Sequence, residues 1–195
     1  SQLKQAVADD KCQRVAGCQQ WVDLVFSQTT LFEELKRIES LLPLRVCHND
    51  TKINNMLFDK RDMSSMAIID LDTCMKGYLM YDFGDMVRTF CSPGAEDSTN
   101  LAAVQVREDI FQAIVDGYVA PLQHIITLQE KQSFWLGAKV MCFMIGVRFL
   151  TDYIDGDNYF GTKYPTHNLD RARNQFALYR DLLHKEATLQ TILFK

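Results

Sequence analysis

"RVCHNDTKINNMLFDKRDMSSMAIIDLDT", residues 45–73, decides how the chain is read. It holds one His, three Asn and five Asp in 29 positions. In and beside it lie three short apolar runs, "LRVCH" (44–48), "NMLF" (55–58) and "MAIID" (66–70). Runs of that length, separated by turn-forming residues, predict a small β-hairpin region with polar side chains gathered at strand ends.

On both sides the apolar period is helical. "WVDLVF" (21–26) and "LFEELKRIESLL" (31–42) predict helix across residues 1–41, and Pro43 ends that run. From Asp82 the period returns, predicting helices near 82–90, 101–119, 128–154 and 168–184, with a further turn or two near 186–193. Two loops rich in Gly, Pro, Asn and Asp interrupt them, "CSPGAEDSTN" (91–100) and "YIDGDNYFGTKYPTHN" (153–168). No repeat or linker divides the chain. The expectation is one unit over residues 1–195, mostly α with a small β-hairpin region, an α+β class.

Composition narrows the function. With 47% hydrophobic and 24% charged residues, 195 residues are enough to bury a core. A net charge of −4 offers no basic footprint for nucleic acid. The best apolar run, "VMCFMIGV" (140–147), is too short to span a bilayer, so no membrane partner is expected. "SQLKQAVADDK" lacks the layout of a signal peptide, and six cysteines without a C-x-x-C read as reduced packing residues. Together these predict a cytoplasmic protein.

Any one Asp or Asn in the central stretch reads as a turn former, since its side chain bonds nearby backbone. The set reads differently. His48, Asp50 and Asn55 form H-x-D-x-x-x-x-N on a loop leaving a strand, and Asp70 closes a second apolar strand 15 residues after Asn55. That is the layout of phosphoryl transfer, in which a loop Asp meets the acceptor hydroxyl while an Asn and a strand-end Asp hold magnesium. The residue types suit the chemistry. A carboxylate orients the hydroxyl and takes its proton, and Mg2+ prefers a few oxygen ligands beside the phosphates of ATP. Lys52 reads either as a positive charge facing the transferred group or as a solvated loop lysine.

"HNDTKINN" with "IIDLDT" resembles the aminoglycoside phosphotransferase and choline kinase superfamily. The longer "HNDTKINNMLFD…IDLDTCMKGYLMYDFGDMVRTF" is most similar to anomeric sugar kinases of the N-acetylhexosamine 1-kinase type, and "GVRFLTDYIDGDNYF" and "HNLDRARNQ" extend the likeness over the chain. The resemblance implies the C-terminal lobe of a kinase-like fold, with a catalytic loop over 48–55, a metal-binding strand end over 68–72 and a helical remainder over 82–195. It implies Asp50 as catalytic base, Asn55 and Asp70 as magnesium ligands and His48 as a buried support. Asp72 is left as either a further ligand or an acid that orients the site. "YDFGD" (81–85) spells a kinase D-F-G, but the metal position corresponds to Asp70, and Asp82 is expected to cap a helix from 83 onward.

For the acceptor, Arg148 stands out in the otherwise apolar "CFMIGVRFLTDY". It reads either as half of an ion pair with Asp152 one turn on or, by the resemblance, as a sugar ligand together with Tyr159. Asp157 and His167 lie in a loop near the same segment and read mainly as surface residues.

Nine glycines include no G-x-G pair, and no V-A-I-K-like strand appears, so the nucleotide-gripping N-lobe of the resembling kinases is expected to be missing from this chain. Alone, the fragment is expected to be inactive or very weak. Two other classes stay open: a non-catalytic sugar-binding or interaction module, and a metal-dependent hydrolase, which the single His near the cluster disfavours.

Overall fold

The computed structural model describes residues 2–195. Three helices open the chain, α1 (Gln2–Asp9), α2 (Gln19–Ser27) and α3 (Thr29–Glu39). Four short strands follow, β1 (Arg45–Cys47), β2 (Met56–Phe58), β3 (Ser65–Ile68) and β4 (Met75–Gly77). The remainder is helical: α4 (Leu79–Phe90), α5 (Glu108–Ile114) running through a π-turn (Val115–Val119) into α6 (Ala120–Leu122), then α7 (Leu128–Asp155), α8 (His167–His184) and α9 (Glu186–Phe194). The fold is mostly helical with small antiparallel sheets, as the α+β expectation has it.

The strand pairing differs from a single hairpin. β2 pairs with β3, Met56 opposite Ile68, but β1 pairs with β4, Cys47 opposite Met75. The strand β4 is too short and mixed ("MKG") to show a period. Its partner lies about 30 residues away in sequence, a separation at which local patterning carries no information on pairing. These two ribbons place the loop 48–55 and the segment 69–74 side by side, and Ile69 N–H donates to the Asn55 carbonyl at 2.9 Å.

The predicted helix over 101–119 is also corrected. Residues Leu101–Ala103 form a 3-10 turn, and α5 starts only at Glu108. There Val104 and Val106 are buried as extended chain, and Val106 N–H donates to the Asp181 carboxylate on α8.

α7 is the axis of the molecule. Its start is a capping box in which Thr127 and Glu130 exchange backbone and side-chain bonds, and it ends at Gly156, whose φ of 103° suits a residue without Cβ. By length and composition α7 could cross a bilayer, yet 67% of its most apolar window is buried by its neighbours, as in a core helix. Phe83, Phe134, Phe143 and Phe176 join α4, α7 and α8 in one aromatic core, with centroids 5.0 Å apart for Phe83–Phe134 and 5.5 Å for Phe143–Phe176. The backbones of α4 and α7 touch: a Cβ on Gly84 would stand 2.3 Å from the Gly137 carbonyl oxygen, so only glycine fits. That contact sets α4, and with it the loop 48–55, against α7.

The six cysteines are free thiols. Cys18, Cys47, Cys91 and Cys142 are buried as expected, whereas Cys12 and Cys74 are exposed.

Candidate active site

The loop after β1 is shaped from below by α4. The buried Asp82 carboxylate accepts N–H groups from His48 and Asn49, both at 2.8 Å, and the Asp82 carbonyl accepts the Thr51 hydroxyl at 2.7 Å. This corrects the helix-cap reading of Asp82. α4 begins at Leu79, so Asp82 lies inside its first turn and its carboxylate is free to fold the loop instead. Burial raises the Asp82 pKa despite those two bonds. From above, Thr73 Oγ1 donates to the His48 carbonyl at 2.7 Å, and Asn49 Nδ2 donates to the Thr73 carbonyl at 3.0 Å. Asn49 holds φ = 62°, a left-handed turn that Asn tolerates.

His48 lies at 3.2 Å through Nε2 from the Ile69 carbonyl, which it meets as a donor, and its Nδ1 is buried without a partner among the described residues. That position ties the loop to the strand end opposite.

Asp50, Lys52, Asn55 and Asp70 come together at the open end of this frame. Asn55, 5% exposed, donates Nδ2 to both the backbone carbonyl and Oδ2 of Asp50 at 2.9 Å. Lys52 Nζ lies 2.6 Å from Asp50 Oδ2 and 3.9 Å from Asp70 Oδ2, bridging the two carboxylates. Burial pulls the Asp50 pKa up, but the hydrogen bonds from Lys52 and Asn55 outweigh it and hold the carboxyl below its usual range. The Lys52 ammonium is raised chiefly by its bond to Asp50. Asp70 takes a left-handed conformation (φ 64°), which turns the chain sharply after β3. Asp72 is exposed in the following 3-10 turn.

Asp50 borders a cavity of about 260 Å³ between α4 and α7, whose wall also holds Tyr81, Asp85, Met141, Met144 and Arg148. Asp85 was not singled out by sequence reasoning. It is 5% exposed, its Oδ1 is held by Arg88 at 2.8 Å, and its Oδ2 is buried without a partner among the described residues. The signal was available: Asp85 and Arg88 stand three apart in a mostly apolar helix, an arrangement that needs a reason to be buried.

Arg148 does not pair with Asp152. Its guanidinium lies over the rings of Tyr159 and Phe160, 5.5 and 5.3 Å from their centroids. Asp152 is buried and accepts the backbone N–H groups of Tyr159 (2.8 Å) and Phe160 (2.9 Å) and the Asn168 amide (2.9 Å). It therefore folds the loop that brings both rings to Arg148. Tyr159 itself is 73% exposed and outside the cavity wall. Asp157 and His167 are corrected from surface residues to structural ones. Asp157 bonds Arg14 at 2.5 Å and Asn168 at 2.9 Å, while His167 is fully buried against Asp97 at 3.1 Å.

Residues 2–113, more than half of the chain, match the family model described as phosphotransferase enzyme family (APH). The chain belongs to that family. Its general chemistry is phosphoryl transfer. The match to the phosphotransferase family takes in the whole frame from Asp50 to Arg88, while Arg148 and Tyr159 lie beyond it.

The residues fit the divalent cation that family members generally use with ATP. Mg2+ keeps most of its waters and takes one or two protein oxygens beside the phosphates. Asp70 has a carboxylate and Asn55 an amide oxygen to give, next to Asp50. Among the described residues no set of three or more His, Cys, Asp or Glu forms a fuller cage, so a cation here would depend on phosphate oxygens for the rest of its shell.

Proposed function

We propose that this chain forms the catalytic-loop and acceptor-binding part of an ATP-dependent phosphotransferase acting on a small-molecule hydroxyl, with a sugar of the N-acetylhexosamine type as acceptor and its anomeric hydroxyl as the site of transfer. One observation carries the reading. The Asp50 carboxylate, held by Lys52 and Asn55, borders a cavity whose wall on α7 includes Arg148.

In this reading the acceptor hydroxyl hydrogen-bonds to Asp50. As its oxygen bonds to the γ-phosphorus of ATP, the bond from that phosphorus to the β–γ bridging oxygen breaks and ADP leaves. The hydroxyl proton passes to the Asp50 carboxylate. Lys52, already between Asp50 and Asp70, faces the charge that gathers on the transferred oxygens. Asn55 and Asp70 would hold a magnesium ion, which when bound would neutralise charge on the phosphates. Arg148, braced by two rings, offers fixed donors to ring hydroxyls.

The grip on adenine and the α and β phosphates would come from a second lobe seated on the ribbons. An apolar face there supports this: Val46, Met66, Ile68 and Met75 are each more than half exposed. A cytoplasmic setting, where ATP is plentiful, accords with this chemistry.

The test, made with a nucleotide-binding lobe present, is transfer of label from γ-labelled ATP with Mg2+ to N-acetylglucosamine, galactose, choline and homoserine in parallel. Label in a sugar, abolished by Asp50→Asn, is the expected result. Label in choline or homoserine alone overturns the sugar assignment. Sugar binding without transfer to any acceptor, even with a nucleotide-binding lobe present, favours a non-catalytic sugar-binding module.

A further inference from the structure

The cavity that Asp50 borders is a groove between two helix faces. From α4 it takes Tyr81, Asp85 and Arg88, and from α7 Met141, Met144, Ile145 and Arg148. Both sets step by three or four residues, the spacing of side chains on one face of a helix. Tyr81 is the one aromatic residue of this wall. Residues 80 and 82–85 on either side of it are buried, whereas Tyr81, Met144 and Ile145 keep accessible surface.

The Tyr81 ring is held at its far end. Its hydroxyl donates to the Glu39 carboxylate at the end of α3 at 2.5 Å, and the Tyr78 ring lies 6.2 Å away, centroid to centroid. Burial, and after it the bond to Glu39, pushes the phenol pKa up, so the proton stays in place near neutral pH. With that hydrogen committed to Glu39, what Tyr81 offers a ligand is chiefly its ring. Glu39 does not border the cavity itself; its bond to Tyr81 links α3 to the wall.

The polar groups of the wall lie elsewhere. Asp50 receives Lys52 and Asn55 on Oδ2, Asp85 and Arg88 hold each other, and Arg148 carries its charge over Tyr159 and Phe160. A ligand in the groove therefore meets Asp50 and Arg148 as hydrogen-bonding groups and Tyr81, Met144 and Ile145 as an apolar strip. A pyranose suits both. Its hydroxyls radiate from the rim, and its faces carry C–H groups that pack on an aromatic ring. An open-chain polyol has similar hydroxyls but no fixed apolar face, and it must be ordered on binding.

We propose that Tyr81 is a specificity-determining residue of the acceptor site, its ring packing on the C–H face of a cyclic acceptor, and that Glu39 is the positioning residue that aims it. The inference rests on the acceptor reading above, and it adds that the site selects a ring over an open chain.

The test is calorimetric titration of the 195-residue chain with N-acetylglucosamine and with its open-chain reduction product, N-acetylglucosaminitol. The parent chain is expected to bind the ring form about tenfold more tightly. Tyr81→Leu should weaken the ring form about three- to tenfold and leave the open-chain form nearly unchanged. Tyr81→Phe and Glu39→Ala keep the ring and cut the tie. Each should weaken the ring form about two- to fourfold, and the two together no more than either alone. Glu39→Gln, which keeps an oxygen for the phenol, should retain most of the parent affinity. The ratio between the two ligands is the deciding readout, because a merely structural loss does not single out the ring form. Should Tyr81→Leu fail to fold, Tyr81→Phe and Glu39→Ala decide. Unchanged affinities, or losses equal for the two ligands, with Arg148→Ala still weakening the sugar, overturn the role of Tyr81 and leave the acceptor reading standing. Sugar binding that ignores both Arg148→Ala and Asp50→Asn, or no sugar binding at all, overturns the acceptor reading and this role with it.

Discussion

Asp82 and His48, 34 residues apart, are joined at 2.8 Å by a hydrogen bond from the His48 backbone to the Asp82 carboxylate. The companion bond from Asn49 makes this carboxylate the mould of the loop. Asp82→Ala strands two backbone donors and is expected to cost about 3 kcal/mol, read as a lower urea midpoint. Phosphoryl transfer should fall with it. Asp82→Asn, which keeps one oxygen acceptor, should lose less of both.

Asp50→Asn removes the proton acceptor and half of the Lys52 pair while preserving shape. Turnover is expected to drop by at least about 10²-fold, with an unchanged circular dichroism spectrum. Turnover within a few-fold of the parent protein would show that another group takes the proton.

Asp70 combines a charge with a left-handed backbone. Asp70→Asn keeps the conformation that Asn tolerates and loses the charge, so the magnesium concentration for half-maximal rate should rise at little cost in stability. Asp70→Leu should add a loss of roughly 1–2 kcal/mol from backbone strain, separable by thermal melting. An unmoved magnesium requirement in Asp70→Asn would place the cation elsewhere.

Gly84→Ala and Gly137→Ala are expected to be among the most damaging single-methyl changes in the chain. The new Cβ would meet backbone oxygen at 2.3 Å in the first case and 2.1 Å in the second, and neither backbone can yield without separating α4 from α7. A loss of about 3 kcal/mol is expected for each from the denaturant midpoint. Gly117→Ala, with open space around it, should be near neutral.

The pH response follows from the depressed Asp50 carboxyl. A group whose folded pKa lies below its unfolded value adds stability above the unfolded value, about 3.9 for Asp, and loses it as pH falls through the folded one. The gap in melting temperature between the parent chain and Asp50→Asn should hold steady near pH 6 and close as pH falls below about 4. Because Lys52 is 36% exposed, added salt should narrow that gap. A gap that widened on acidification would mean that Asp50 is protonated in the folded state.

Much of the site was legible in sequence because it is local. His48, Asp50 and Asn55 fit within one loop, and the bonds from Asn55 to Asp50 span only five residues, so spacing alone puts these two in reach of each other. Helices α7 and α8 were legible for a similar reason, since they are long runs, of 28 and 18 residues, without an internal proline. Beyond that range the sequence was silent or misleading. Asp82 looked like a cap because Asp favours helix starts, yet its partners are on the loop after β1. The pairing of β1 with β4, the turn of Arg148 toward Tyr159 and Phe160, and the tie from Arg14 to Asp157 depend on how the chain folds as a whole.

The order of residues by itself determined that a carboxylate, an amide and a lysine would share one loop, because a chain cannot separate neighbours. Which helix wall would face them, and which buried atoms would be left without partners, was decided only when α4, α7 and α8 closed on a common core. Such distant contacts are chosen by the collective burial of apolar surface, which leaves no mark at any one position.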